Sequence, residues 1–386
     1  MKKVLVLIDY YLPGYKSGGP VRTISNMVDQ LGQEIEFWIL TRNRDVMEAE
    51  PYPDVQSDTW NRCKNSKVYY ASTLGFLTIR RIVREVSPDV IYLNSFFSSL
   101  VIRYLVMRWL RLVHSTAVVL APRGEFSPGA LALKKSEKLV YLKLVALMGL
   151  YRKLVWQVSS LREAQEIQDI WKGDITSFVA PNMPPVIQSV ENGAEHIKIP
   201  GEARFVFLSR ISPKKNIVAA INMLGQLSGQ VLFSIAGPVG DEEYWSQCQH
   251  AIKSLPPNVT VSYVGAIPHQ QINSIFKAHH FFLLPTLGEN FGHAILEALM
   301  AGCPVVISDQ TPWRELQKNN IGWDLPLDSM DSWLHVLGQC INMDQATFKT
   351  MSASAKSYAS QWSADSGILQ ANRELFLLAC EKEKPR

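Results

Sequence analysis

Pro285-Thr286-Leu287-Gly288-Glu289-Asn290-Phe291-Gly292-His293-Ala294-Ile295-Leu296-Glu297-Ala298-Leu299-Met300-Ala301-Gly302-Cys303-Pro304-Val305-Val306 holds a strand end, a loop, a helix and the next strand. The apolar run Phe281–Leu284 predicts a strand that stops at Pro285, and a helix begins near Phe291 or Gly292. Gly302 supplies the helix C-cap, and Pro304 halts it before a strand over Val305–Ile307. A unit of this kind puts its loop at the carboxyl edge of a parallel sheet, where ligands bind. The amides of Asn290, Phe291 and Gly292 then suit a phosphate. Glu289 beside them either accepts from sugar hydroxyls or serves only the helix dipole. Glu297 sits on an otherwise apolar helix, Ala294 to Ala301, and is placed to reach a ribose. Burying it without a partner is costly, so a ligand or partner is implied.

Outward from this unit the rhythm repeats. Phe205–Leu208, Val231–Ala236 and Val259–Val264 read as strands with helices between them. Upstream, Val4–Ile8, Phe37–Leu40, Val68–Tyr70, Val90–Leu93, Ala117–Leu120, Val155–Val158 and Ser177–Ala180 do the same. Val21, Ile24, Val28 and Leu31 mark one amphipathic helix, with Pro20 at its start where the missing N–H costs nothing. Short continuous apolar strands alternating with helices predict parallel sheets covered on both faces. Pro181-Asn182-Met183-Pro184-Pro185 and the polar stretch to Pro200-Gly201 break the pattern. The fold class is therefore α/β: two doubly wound, Rossmann-like domains facing each other across a cleft. They cover 1–185 and 200–364, with a linker at about 181–200. Residues 43–66 read as a polar surface insertion.

Two further loops could meet a ligand. Gly18-Gly19-Pro20 lets the backbone approach an anion at a helix N-terminus, or is simply a turn. It is not GxGxxG, and Thr41-Arg42 follows the second strand where a dinucleotide site would carry an acid. In Leu208-Ser209-Arg210-Ile211-Ser212-Pro213-Lys214-Lys215-Asn216, Arg210 and Lys215 could hold a diphosphate as fork and point charge, or stand as solvated charges.

Of 386 residues, 39 are Lys or Arg and 35 Asp or Glu, a balance that does not suggest nucleic-acid binding. Residues 103–153, however, hold ten basic groups against Glu125 and Glu137, interleaved with apolar runs. Such a window reads either as a surface lying on an anionic membrane or as amphipathic helices with solvated charges. Five cysteines without a CxxC pair fit neither a disulfide framework nor zinc, and suggest reduced thiols in a cytoplasmic protein. Met1-Lys2-Lys3-Val4 reaches Asp9 after five apolar residues, which predicts a first strand rather than a signal peptide. No stretch is long and apolar enough for a transmembrane helix.

E-N-F-G-x-x-x-x-E-A-L with A-G-x-P-V-V, preceded by S-R-I-x-x-x-K-N, resembles retaining glycosyltransferase family 4, of GT-B fold. The likeness covers some 110 residues of the second half and is looser in the first, where it rests on Gly18-Gly19 and the strand rhythm. Ala121-Pro122-Arg123-Gly124-Glu125-Phe126 and Thr311-Pro312-Trp313-Arg314-Glu315 are similar to loops of bacterial polysaccharide members. The resemblance implies a hexosyltransferase that uses a UDP- or GDP-linked sugar. Its acceptor would be a glycan or lipid-linked sugar at the cytoplasmic membrane face, and the terminal helix, 365–386, would cross back onto the first domain. Arg210 and Lys215 would neutralise the diphosphate, and Glu289 would orient the sugar. Asn290, Phe291, Gly292, Gly18 and Gly19 would hold phosphate and sugar, Glu297 the ribose, and Ile267 the base. Many relatives carry a His where this chain has Arg123-Gly124-Glu125, so the acceptor roles of these three stay open. With no acidic metal-binding cluster in the sequence, fixed cations and a helix N-terminus must stabilise the leaving group, and no metal or other cofactor is expected. A nucleotide-sugar epimerase and a non-catalytic two-lobed sugar-binding protein are the competing readings.

Overall fold

The structure is a computed structural model that describes residues 1–132, 135–173, 175–186 and 197–382. The chain folds as two compact units, Met1–Val186 with Asp365–Arg386, and Ile187–Ala364. Residues 187–196 of the expected linker lie outside the described residues, as does Lys134 of the basic window.

The first unit runs β1 (Lys2–Leu7), α1 (Gly19–Leu31), β2 (Ile35–Arg42), β3 (Trp60–Cys63), β4 (Ser66–Ala71), α2 (Phe76–Val86), β5 (Val90–Asn94), α3 (Ser99–Trp109), β6 (Ala117–Ala121), α4 (Pro128–Ala132), α5 (Lys135–Leu147), β7 (Val155–Val158), α6 (Leu161–Ile170) and β8 (Thr176–Val179). Among the described residues its sheet has the order β3-β4-β2-β1-β5-β6-β7-β8. Neighbours are parallel except β3, which pairs antiparallel with β4. Every residue of β5 and β6 is buried, as expected of strands covered on both faces. Residues 43–66 are not only surface: they contain β3, and Asn43 and Asp45 are buried.

The second unit runs β9 (Glu202–Leu208), α7 (Ile217–Leu224), β10 (Gln230–Ala236), α8 (Glu242–Lys253), β11 (Val259–Gly265), α9 (Ile272–Lys277), β12 (Phe281–Leu284), α10 (His293–Ala301), β13 (Val305–Ser308), β14 (Gly322–Leu325), α11 (Met330–Asn342) and α12 (Gln345–Ser363). Its sheet is parallel throughout, in the order β11-β10-β9-β12-β13-β14. Phe205, Val206 and Phe207 of β9 and Phe281, Phe282 and Leu283 of β12 are fully buried at its centre. Lys198 is also buried and donates to the carbonyls of Ile199, Ile341 and Met343, closing the end of α11.

The chain then re-enters the first unit as α13 (Ser366–Lys382). Asn372, Leu375 and Phe376 of this helix are buried. Asn372 donates to the Pro181 carbonyl at 2.8 Å and accepts from Gln157 at 3.3 Å. Among the described residues no helix is long and apolar enough to cross a membrane.

Candidate functional site

Strand order reverses between β9 and β12, because each continues outward in the opposite direction. Loops leaving such a pair diverge to opposite faces and open a crevice at the carboxyl edge, where doubly wound sheets bind ligands. The loops after β9 and β12 carry Arg210, Lys215 and the Glu289–Gly292 turn.

The two loops are tied together by backbone. The Leu287 amide donates to the Lys214 carbonyl at 2.8 Å, and the Thr286 hydroxyl donates to the same oxygen at 3.1 Å. The Ser308 hydroxyl donates to the Thr286 carbonyl at 2.5 Å, and the Glu289 amide to the Gln310 carbonyl at 3.0 Å, so the end of β13 and the loop after it brace the turn. On this frame Lys215 Nζ forms an ion pair with Glu289 Oε1, both side chains being largely buried. The structure thus brings together two residues that lie 74 positions apart. Gly292 caps α10 with φ 80°, and its carbonyl accepts from Ile295 at 2.9 Å, so the helix starts at His293, one or two residues after the start expected near Phe291 or Gly292. Phe291 is buried against Trp313 and Trp362, and its carbonyl accepts from Trp313 Nε1 at 2.5 Å. Asn290 and Glu297 are half-buried.

Arg210 is exposed, and the stem of its side chain lies across Gly240, where a Cβ would meet it at 2.4 Å. Gly237 makes the loop after β10 fit this arrangement. Its φ is 138°, and a Cβ there would stand 1.9 Å from the Ser209 carbonyl oxygen, so another residue would displace the Arg210 loop. The Gly237 amide donates to Gly265 at 2.8 Å, which brings the end of β11 to the same edge. Ile267, two residues on, is half-buried against the core of the second unit. Among the described residues no three His, Cys, Asp or Glu side chains are grouped to hold a metal ion.

The remaining sequence-derived residues belong to the first unit, at the carboxyl edge of its own sheet. Gly18, at φ 78°, caps α1, and both Gly18 and Gly19 are exposed; a Cβ on Gly18 would meet nothing. Asp45 fixes the loop leading to them, accepting from the amides of Tyr15 at 2.9 Å and Lys16 at 3.2 Å. Arg123 has φ 57°, and each of its three guanidinium nitrogens donates a hydrogen bond. It donates to Asn94 Oδ1 at 2.8 and 3.1 Å, to the Tyr92 hydroxyl at 2.6 Å, and to Asn182. The Gly124 amide donates to Glu163 at 2.7 Å. Glu125 accepts from the Ser95 hydroxyl at 2.6 Å and from the amides of Phe96 and Phe97. Burial pushes its carboxyl above the usual carboxylate range, and those three donors oppose the rise.

Asp45, Glu163 and Asn94 escaped the sequence reading. Ser160 and Glu163 stand at the spacing of a capping box, a signal that could have singled out Glu163. In the fold Ser160 does cap α6, while the Glu163 carboxylate serves Ser159 and Gly124. Asp45 also accepts from the neighbouring Val46 amide, but the loop contacts that give it its role lie 29 and 30 residues away and leave no local signal.

Comparison with known proteins agrees with the second unit's geometry. Residues 191–353 match the family Glycosyl transferases group 1. A stretch of 133 residues is 32% identical to the amylovoran biosynthesis glycosyltransferase AmsK of Erwinia amylovora, and spans about a third of each chain. Sucrose-phosphate synthase from Thermosynechococcus elongatus superposes with a TM-score of 0.70 at 16% identity, covering 98% of this chain and 100% of that one. Anabaena HepE, solved in complex with UDP-glucose, gives 0.67 at 16%, with 97% and 98% covered. The fold is thus GT-B, two Rossmann-like parallel-sheet domains, and the second unit carries a glycosyltransferase domain of group 1 type.

Proposed function

We propose that this chain is a retaining, metal-independent hexosyltransferase. Its donor is a nucleoside-diphosphate sugar, and its acceptor a lipid-linked glycan in bacterial envelope or exopolysaccharide assembly. The observation that carries the reading is the Lys215–Glu289 pair beside the Asn290–Gly292 turn, at the strand-order reversal of the second unit. The group 1 match over the same residues supports it, and favours neither an epimerase nor a passive sugar-binding protein. The amylovoran role of AmsK supports an exopolysaccharide setting, and the UDP-glucose held by HepE supports a UDP-sugar donor.

In the reaction the acceptor oxygen bonds to the anomeric carbon as the bond from that carbon to the β-phosphate oxygen breaks. The acceptor proton passes to the departing phosphate on the same face, which keeps the anomeric configuration. Negative charge grows on the leaving diphosphate. Lys215 leaves Glu289 to meet it, Arg210 adds a second cation, and the amides of Asn290, Phe291 and Gly292 meet the phosphate and sugar at the head of α10. Glu289, released from Lys215, accepts from the sugar hydroxyls. Glu297 takes the ribose, Ile267 lies against the base, and Gly18 and Gly19 are assigned to donor phosphate. The Arg123-Gly124-Glu125 loop serves the acceptor as a rigid wall, its charged groups already bound within the protein. The enzyme works at the inner face of the cytoplasmic membrane.

Incubation with radiolabelled UDP- and GDP-sugars tests this. Slow release of free nucleoside diphosphate is expected, undiminished by a chelator. Sugar interconversion without release would replace transfer with epimerisation. Lys215→Ala should lower the release rate roughly 100-fold or more while leaving the thermal midpoint near that of the parent. A wild-type rate in that variant would remove Lys215 from the chemistry.

A further inference from the structure

The outward side of α5 is apolar where a helix on a sheet is ordinarily polar. Leu142 and Val145 point into the core and are each 5% exposed. On the opposite side Val140, Leu144 and Leu147, spaced to share one stripe, are 59%, 55% and 87% exposed. Met148 extends the stripe beyond the helix end. At the end of α3, Trp109, Leu110 and Leu112 are also about half exposed. Arg108 Nη1 donates to the Arg152 carbonyl at 3.1 Å, which ties this second apolar group to the turn that follows α5. Around the combined patch Arg111, Lys143, Arg152 and Lys153 are exposed, and Glu137 is the one acidic residue in 136–153.

We propose that the α5 stripe and the α3 tip form a docking surface for an anionic lipid bilayer. Leucine, valine and tryptophan side chains would enter the interface while the basic groups meet lipid phosphates. Charge decides the occupant. A second copy on the same face would set two basic rims against each other, whereas an anionic membrane complements both parts of the patch. The inference deepens the reading of a lipid-linked acceptor, yet vesicle binding needs no sugar transfer, so the two can fail separately.

The test is co-sedimentation of the full chain with vesicles of phosphatidylcholine alone and of an equal mixture with phosphatidylglycerol. The protein should pellet with the mixture, less so as salt rises, and stay in the supernatant with phosphatidylcholine. Leu144→Ser with Leu147→Ser should weaken binding roughly tenfold or more. Lys143→Gln with Lys153→Gln should weaken it by roughly 30-fold. All four positions are exposed, and an unchanged thermal transition checks each variant; if the serine variant loses its transition, the lysine pair carries the test. Wild-type protein that ignores the anionic vesicles, or variants that pellet as well as wild type, would overturn the proposal. So would a dimer in vesicle-free solution that the serine variant dissociates, since the stripe would then be a self-interface.

Discussion

Lys215 and Glu289 form an ion pair, so on the proposed reading a nucleoside diphosphate competes with a carboxylate for its cation. A sugar-bearing donor compensates by giving Glu289 hydroxyl groups to accept from; a bare diphosphate does not. If the proposal holds, the pair tilts the site toward donor and against product. Glu289→Gln should bind the nucleoside diphosphate about tenfold more tightly, in the range of one charge-assisted bond, while its transfer rate falls. Calorimetric titration with UDP and GDP checks this, and unchanged or weaker binding would mean that the pair does not compete. Both residues were legible in the sequence because each sits in a strand–loop–helix context with its own signature. Their contact was not, since it depends on β9 and β12 being neighbours, which no local pattern states.

Around β5 and β6 buried acids hold the loops in place. Glu125 gathers the amides that follow β5, and Glu163 holds Gly124. Arg123 joins Asn94 to Asn182, and through Tyr92 the network runs to Gln157 and on to Asn372 of α13. Folding raises the Glu125 pKa, so between that raised value and the ordinary carboxylate value the native state holds more proton than the unfolded chain. Its contribution to stability accordingly improves as pH falls through that window. Glu125→Gln keeps an acceptor oxygen without the charge. Measured by denaturant titration, wild type should gain on this variant as pH drops from neutrality toward the usual carboxylate range; a pH-independent difference would contradict it. At this scale the sequence showed β5 and β6 plainly, as continuous apolar runs. It hid β3 and β14, because Trp60-Asn61-Arg62-Cys63 and Gly322-Trp323-Asp324-Leu325 lack such a run and pair only at the margins of their sheets.

Each unit has its own apolar core, one built around β1, β5 and β6, the other around β9, β12 and α10. Scanning calorimetry should therefore resolve two transitions rather than one. On the proposed reading, nucleoside diphosphate should raise chiefly the transition of the unit that holds Lys215 and Glu289, by about 2.7 kcal/mol at a hundredfold excess over Kd. A single transition, or an equal shift of both, would show the units to be coupled. The division into two such units was readable from the doubled strand rhythm and the proline-rich break. The return of α13 to the first unit was expected from the family resemblance and not from periodicity, since its Asn372 meets Gln157 and Pro181 some two hundred positions upstream.

That helix also dictates the sequence of events at the ribosome. Residues 202–363 form a continuous block and can settle as soon as they emerge. The older half of the chain must wait, with the seat for Leu375 and Phe376 unfilled, until synthesis has passed through the younger one. A premature stop shortly after residue 364 would therefore spare the domain just finished and cripple the one made first.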